Sequence, residues 1–113
     1  MEQEKRKTAR LVMNITGFGL VAIKSKSRLR EVVLARWLYA SIMYHYYGYN
    51  WTDIASTIGY SHCDIIYMVK NFNERKNDKM FPEYREVFSI AVKKMLNSET
   101  FSDTERIKNF ING

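Results

Sequence analysis

The stretch Ile58-Gly59-Tyr60-Ser61-His62-Cys63-Asp64-Ile65-Ile66 places a hydroxyl, an imidazole, the only thiol and a carboxylate at four consecutive positions. Three chemistries could use them. A Cys-His nucleophile needs the base within hydrogen-bond reach of the thiol, with a third group orienting it. Neighbours on a helix diverge by about 100° and do not face each other, so His62 and Cys63 make a poor pair. Structural zinc takes four Cys/His ligands, and the chain holds one Cys and two His. The third chemistry is capping. Ser61 and Asp64 stand three apart, the spacing at which a hydroxyl and a carboxylate close the start of a helix. That leaves His62 and Cys63 facing outward, with no catalytic group, metal or cofactor expected.

Two other clusters point elsewhere. Gly17-Phe18-Gly19-Leu20-Val21-Ala22 fits GxGxxA, but the dinucleotide fingerprint needs a preceding strand and an acid about 20 residues on. A helical pattern precedes it, and no Asp or Glu lies between Glu31 and Asp53. It reads as a loop with a helix-ending glycine. The segment from Trp37 to Trp51 holds seven of the sixteen aromatics. Unpaired bases stack on such rings, yet Trp37, Tyr44 and Tyr47 share an apolar helical stripe, which favours core packing.

The elements that must carry these residues are helices, because no stretch alternates with period two. A first helix is expected from about Glu4 to Ile15, ended by Gly17. A loop through GFGLVAIKSK follows. Ser27 would cap a long helix, Arg28 to Tyr47, with positions 29, 33, 37, 40, 44 and 47 inward. Asn50 and Asp53 have capping-box spacing and open a short helix to about Ile58, stopped by Gly59. Ser61 opens the next, to about Lys76, burying Ile65, Met68 or Val69, and Phe72. Pro82 fits the first position of a helix to about Asn97, with Val87, Phe88, Ala91, Val92, Met95 and Leu96 inward. A short last helix would begin at Ser102, with Glu105 at capping-box spacing. The fold class is all-α, five to six helices. Residues 50–76 have the outline of a helix-turn-helix, although capped helix pairs joined by glycine also occur in any helical bundle.

Composition agrees. The 113 residues are 46% apolar, with one proline, which suits one globular domain. A lone cysteine gives no internal disulfide and no sign of an oxidising compartment. The charged start MEQEKRKTAR has no apolar segment behind it, and the longest apolar run is broken by Arg36. A cytoplasmic protein with no membrane partner is therefore expected. The charge is one-sided: residues 1–36 hold nine Lys/Arg against three Glu, the whole net charge of +6. Such asymmetry attracts nucleic acid or an acidic surface.

The order SKSRLREVVLARWLYA, then NWTDIASTIGYSH, resembles the C-terminal DNA-binding domain of the bacterial replication initiator DnaA. Ala35-Arg36 matches the family's Ala-Arg or Pro-Arg pair, and Asn50-Trp51-Thr52-Asp53-Ile54 its helix start. Gly59 and His62 match with one turn residue deleted. The resemblance covers residues 24–76, flanked by an N-terminal helix and loop (1–23) and a helical extension (77–113), as in small standalone versions without the ATPase module. It implies a DnaA C-terminal, Trp-repressor-like fold and a non-enzymatic, sequence-specific double-stranded DNA-binding module, nucleoid-associated, serving replication initiation or transcription. It takes no small-molecule substrate. The implied DNA contacts are Arg30, then Arg28, in the minor groove, Ser61, His62 and Cys63 at base edges, Trp51, Thr52 and Lys70 on the backbone, and also Arg36 of the motif pair and Tyr60 of the turn. Tyr60 and Ser61 stand where the family has Arg-Asp, and Asp64 replaces a hydroxyl residue, so the target should differ from the initiator's box. The alternative is a protein-interaction or dimerisation module that kept the fold and lost DNA readout. The 82–97 helix is then either core or a dimer face, and the partner a homodimer mate or a replication or regulatory protein.

Overall fold

The computed structural model describes residues 2–113, which form seven helices and no strand. They are α1 Glu2–Thr16, α2 Leu20–Lys24, α3 Arg30–His45, α4 Trp51–Ile58, α5 His62–Arg75, α6 Pro82–Leu96 and α7 Thr104–Asn112. The all-α class is as expected, and the count exceeds expectation by α2. That five-residue helix lies in the segment read as a loop, where it is too short to display a period. Gly17, at φ +84, ends α1 as its position implied.

Helix α3 is shorter than expected and more deeply buried. Leu29 takes the N-cap position without a side-chain bond, while the Ser27 hydroxyl accepts from the Leu29 N–H at 3.2 Å. Ser27 thus closes a local turn before the helix rather than capping it. Leu29, expected inward, is 65% exposed, whereas Val32 and every residue from Leu34 to Met43 are buried. A helix apolar all round is an interior helix. Here α1, α2, α4, α5 and α7 all pack on α3, and one cluster of buried side chains runs from Leu11 to Phe110.

Inside this cluster the Tyr39 ring is fully buried, and its hydroxyl has no hydrogen-bond partner. Desolvation pushes the phenol far above its ordinary range. An unsatisfied buried hydroxyl costs about 1–3 kcal/mol. Tyr39→Phe should therefore stabilise the chain by about 1 kcal/mol, read as a higher urea midpoint; an unchanged or lower midpoint would mean the hydroxyl is satisfied.

The C-terminal elements lock onto α3 and α5. Lys76 is only 6% exposed. Its Nζ donates to the Ile111 carbonyl at 3.1 Å and lies 4.3 Å from the Phe88 ring centroid. A cation at the carboxyl end of α7 suits the helix dipole. Beside it the buried His45 Nε2 has no partner. Burial lowers the His45 pKa, and the Lys76 charge lowers it further. The unfolded chain therefore takes up this proton first, and stability falls as pH drops below about 6.5. The urea midpoint should decline from about pH 7.5 to 5.5, and His45→Phe should flatten that slope.

Pro82 occupies the first turn of α6, which buries Tyr84, Ala91 and Met95. Leu96, expected inward, is 61% exposed because α6 ends there, past the last turn that reaches the core. Asp103, not Ser102, caps α7, accepting from the Arg106 N–H at 3.2 Å. Among the described residues no helix is long and apolar enough to cross a membrane.

Candidate nucleic-acid interface

Helices α4 and α5 are joined by the three residues Gly59, Tyr60 and Ser61. At the start of α4 the Asn50 side chain accepts from the Asp53 N–H at 2.8 Å. At its end Gly59 takes the left-handed conformation, φ +77, which a side chain would strain. Ser61 and Asp64 then form the full capping box, each side chain accepting from the other's N–H at 3.1 Å. The Ser61 N–H, then its hydroxyl, hold the Asp64 carboxyl below the usual carboxylate range, with Lys26 adding to the effect. Ile54 and Ile58 of α4 and Ile65, Met68, Val69 and Phe72 of α5 are buried. These contacts fix which face of α5 looks outward: His62, Cys63, Ile66, Tyr67 and Lys70 are exposed.

Ile66 and Tyr67 were absent from the expected site. Their signal was negative: both fall off the 65/68/69/72 stripe, so a helix buried along that stripe must expose them. One geometric expectation also fails. The Cys63 Sγ lies 3.6 Å from His62 Nε2. Both sit in the first turn, where side chains lean toward the N-terminus and no preceding turn restricts them. Among the described residues no third group orients the imidazole.

The expected role of Arg36 is corrected. It is 4% exposed, with Nε donating to the Ile23 carbonyl at 2.9 Å and Nη2 to the carbonyls of Ser25 and Ser27 at 2.8 and 3.1 Å. Its donors are used inside the protein, where they hold the chain between α2 and α3. Tyr60 is likewise a structural link more than a free contact. Half-buried, it donates its hydroxyl to the Ser25 carbonyl at 2.7 Å. Lys26 covers the Tyr60 ring, 3.6 Å from its centroid, and donates to the Gly59 carbonyl. Loop 25–29 and turn 59–61 are therefore tied at two points.

The remaining expected residues separate by exposure. Lys24, Lys26, Arg28 and Arg30 are exposed on or beside this loop. Arg30 lies 3.8 Å from Glu83, a surface pair worth little. Arg28 has no carboxylate within ion-pairing distance among the described residues, which makes it the freer of the two. Thr52 is exposed in the first turn of α4, and Lys70 is exposed on α5. Trp51 is half-buried and stacked on Tyr44, with centroids 3.9 Å apart and planes at 8°. No protein-family model, curated protein or solved structure matches the chain.

Proposed function

We propose that this chain is a non-enzymatic double-stranded DNA-binding module of the replication-initiator type, sequence-specific and nucleoid-associated. In this reading α5 enters the major groove with Ser61, His62 and Cys63 at base edges. Arg28 and Arg30 reach the minor groove, whose narrow stretches attract arginine. Thr52 and Lys70 meet phosphates, and phosphate contacts set register while base contacts set sequence. The observation that carries the reading is the exposed first turn of α5 held against an exposed basic loop by the Lys26–Gly59 and Tyr60–Ser25 bonds.

The test is duplex binding against salt, after selection from random duplexes. Each phosphate neutralised contributes a slope of about −0.9 in log K against log salt. Four such contacts would weaken binding roughly 150-fold between about 50 and 200 mM salt. Arg28→Ala should reduce the slope by about one unit. His62→Ala should leave the slope intact and reduce preference for the selected sequence. Salt-insensitive binding would sink the proposal.

A second reading, a protein-interaction or dimerisation module, is favoured by the charged Asp64 at the tip of α5 and the exposed Ile66 and Tyr67 nearby. A concentration-dependent dimer in sedimentation that selects no duplex would favour it over the first.

A further inference from the structure

Near the C-terminal end of α5, half-buried Arg75 lies among three rings. Its guanidinium carbon is 4.3 Å from the Phe81 centroid, 4.7 Å from Trp37 and 5.3 Å from Tyr84. One Nη1 proton goes to the Tyr84 hydroxyl at 3.2 Å. A guanidinium carries five donors, and among the described residues no carboxylate lies within ion-pairing distance of this one. Unpaired cations withdrawn from water are costly unless something of opposite charge meets them.

Arg75 faces a cleft of about 470 Å³ between the N-terminal ends of α3 and α6 and the C-terminal end of α5. Val33, Leu34, Phe81 and Tyr84 give it apolar walls, and Arg28 and Arg30 stand at its rim. Its volume lies in the range of small-molecule sites, which are apolar with a few convergent polar groups. Glu31 and Glu83 also line it. Three arginines against these two carboxylates leave the lining at a net charge of +1, which a monoanion neutralises.

We propose that this cleft binds a planar aromatic monocarboxylate, its ring against half-buried Phe81 and Val33 and its carboxylate on the Arg75 guanidinium. Arginine presents paired N–H groups that match a carboxylate. The inference does not rest on the DNA-binding reading, although Arg28 and Arg30 belong to both surfaces, and its test contains no nucleic acid.

Isothermal calorimetry on the full chain would use naphthalene-2-carboxylate as the probe, beside acetate, the neutral 2-naphthalenemethanol and 2-naphthyl phosphate. The carboxylate should bind at one site with a Kd below about 1 mM. Acetate and the alcohol should each bind at least about ten-fold more weakly, the charge-assisted bonds and the ring contact each being worth about that factor. Arg75→Gln should weaken the carboxylate about ten-fold. Glu83→Gln should strengthen it, and gives a readout even where Arg75→Gln fails to fold. Absence of saturable binding, an alcohol as tight as the carboxylate, or an unchanged affinity in Glu83→Gln would overturn the proposal. A phosphate ester tighter than the carboxylate would overturn the monoanion assignment.

Discussion

Arg36→Ala is expected to lower folding stability by about 3–4 kcal/mol, most of it from carbonyls left without their donors. The guanidinium serves the Ile23, Ser25 and Ser27 carbonyls at once. The Ser25 oxygen keeps the Tyr60 hydroxyl, so the loss is smaller there than at the buried Ile23 bond. The aliphatic stem adds lost packing, as for any arginine whose methylenes are buried. Arg36→Lys restores a charge but not the planar fork, so it should recover less than half of the deficit. Urea unfolding followed by tryptophan fluorescence would measure both variants. Amide exchange should also quicken at Lys26 to Leu29 in Arg36→Ala, because the loop loses its anchor while the helices persist. A urea midpoint equal to the parent's would show that these bonds contribute nothing net.

The comparable effect in the apolar core is at Phe72. It is 2% exposed and its ring lies 5.7 Å from that of Tyr84, on α5, which packs against α3 and α6. Phe→Ala at such a site removes the transfer energy of the ring and leaves a cavity, together about 3–5 kcal/mol. For a domain of this size that lowers the thermal midpoint by roughly 15 °C or more. Phe72→Leu should lose only about 1–1.5 kcal/mol, since the side chain still fills most of the space. Circular dichroism melts distinguish the two, and a loss below about 1 kcal/mol in Phe72→Ala would contradict a tightly packed junction.

These two positions mark where the sequence could be read and where it could not. Phe72 belongs to a stripe with helical period, and that pattern alone predicts its burial along with Ile65 and one of Met68 and Val69, both of which the structure buries. The Gly59 turn and the Ser61–Asp64 box were legible for a similar reason: both depend on residues four or fewer apart. Arg36 was misread because its partners lie nine to thirteen residues away, on a segment whose path no local pattern encodes. The tie from Tyr60 to Ser25 was not legible either, because it crosses 35 residues. The stripe on α3 also misled, since its period describes a helix with one buried face and this helix is enclosed. Surface positions such as Arg28 and Lys70 came from the resemblance together with their charge, and charge predicts exposure but no partner.

The tie between loop 25–29 and turn 59–61 bears on the heat of any association at that surface. Basic arms that are free in solution lose their chain entropy when they meet a ligand, and the binding carries a large negative heat-capacity change. In this chain Arg36, Tyr60 and Lys26 fix the arm's backbone during folding. A ligand engaging Arg28 has only side-chain freedom to remove, about 2 kcal/mol at most. Association should therefore show a small heat-capacity change, in proportion to the surface covered, and an on-rate set by electrostatic steering instead of by loop ordering.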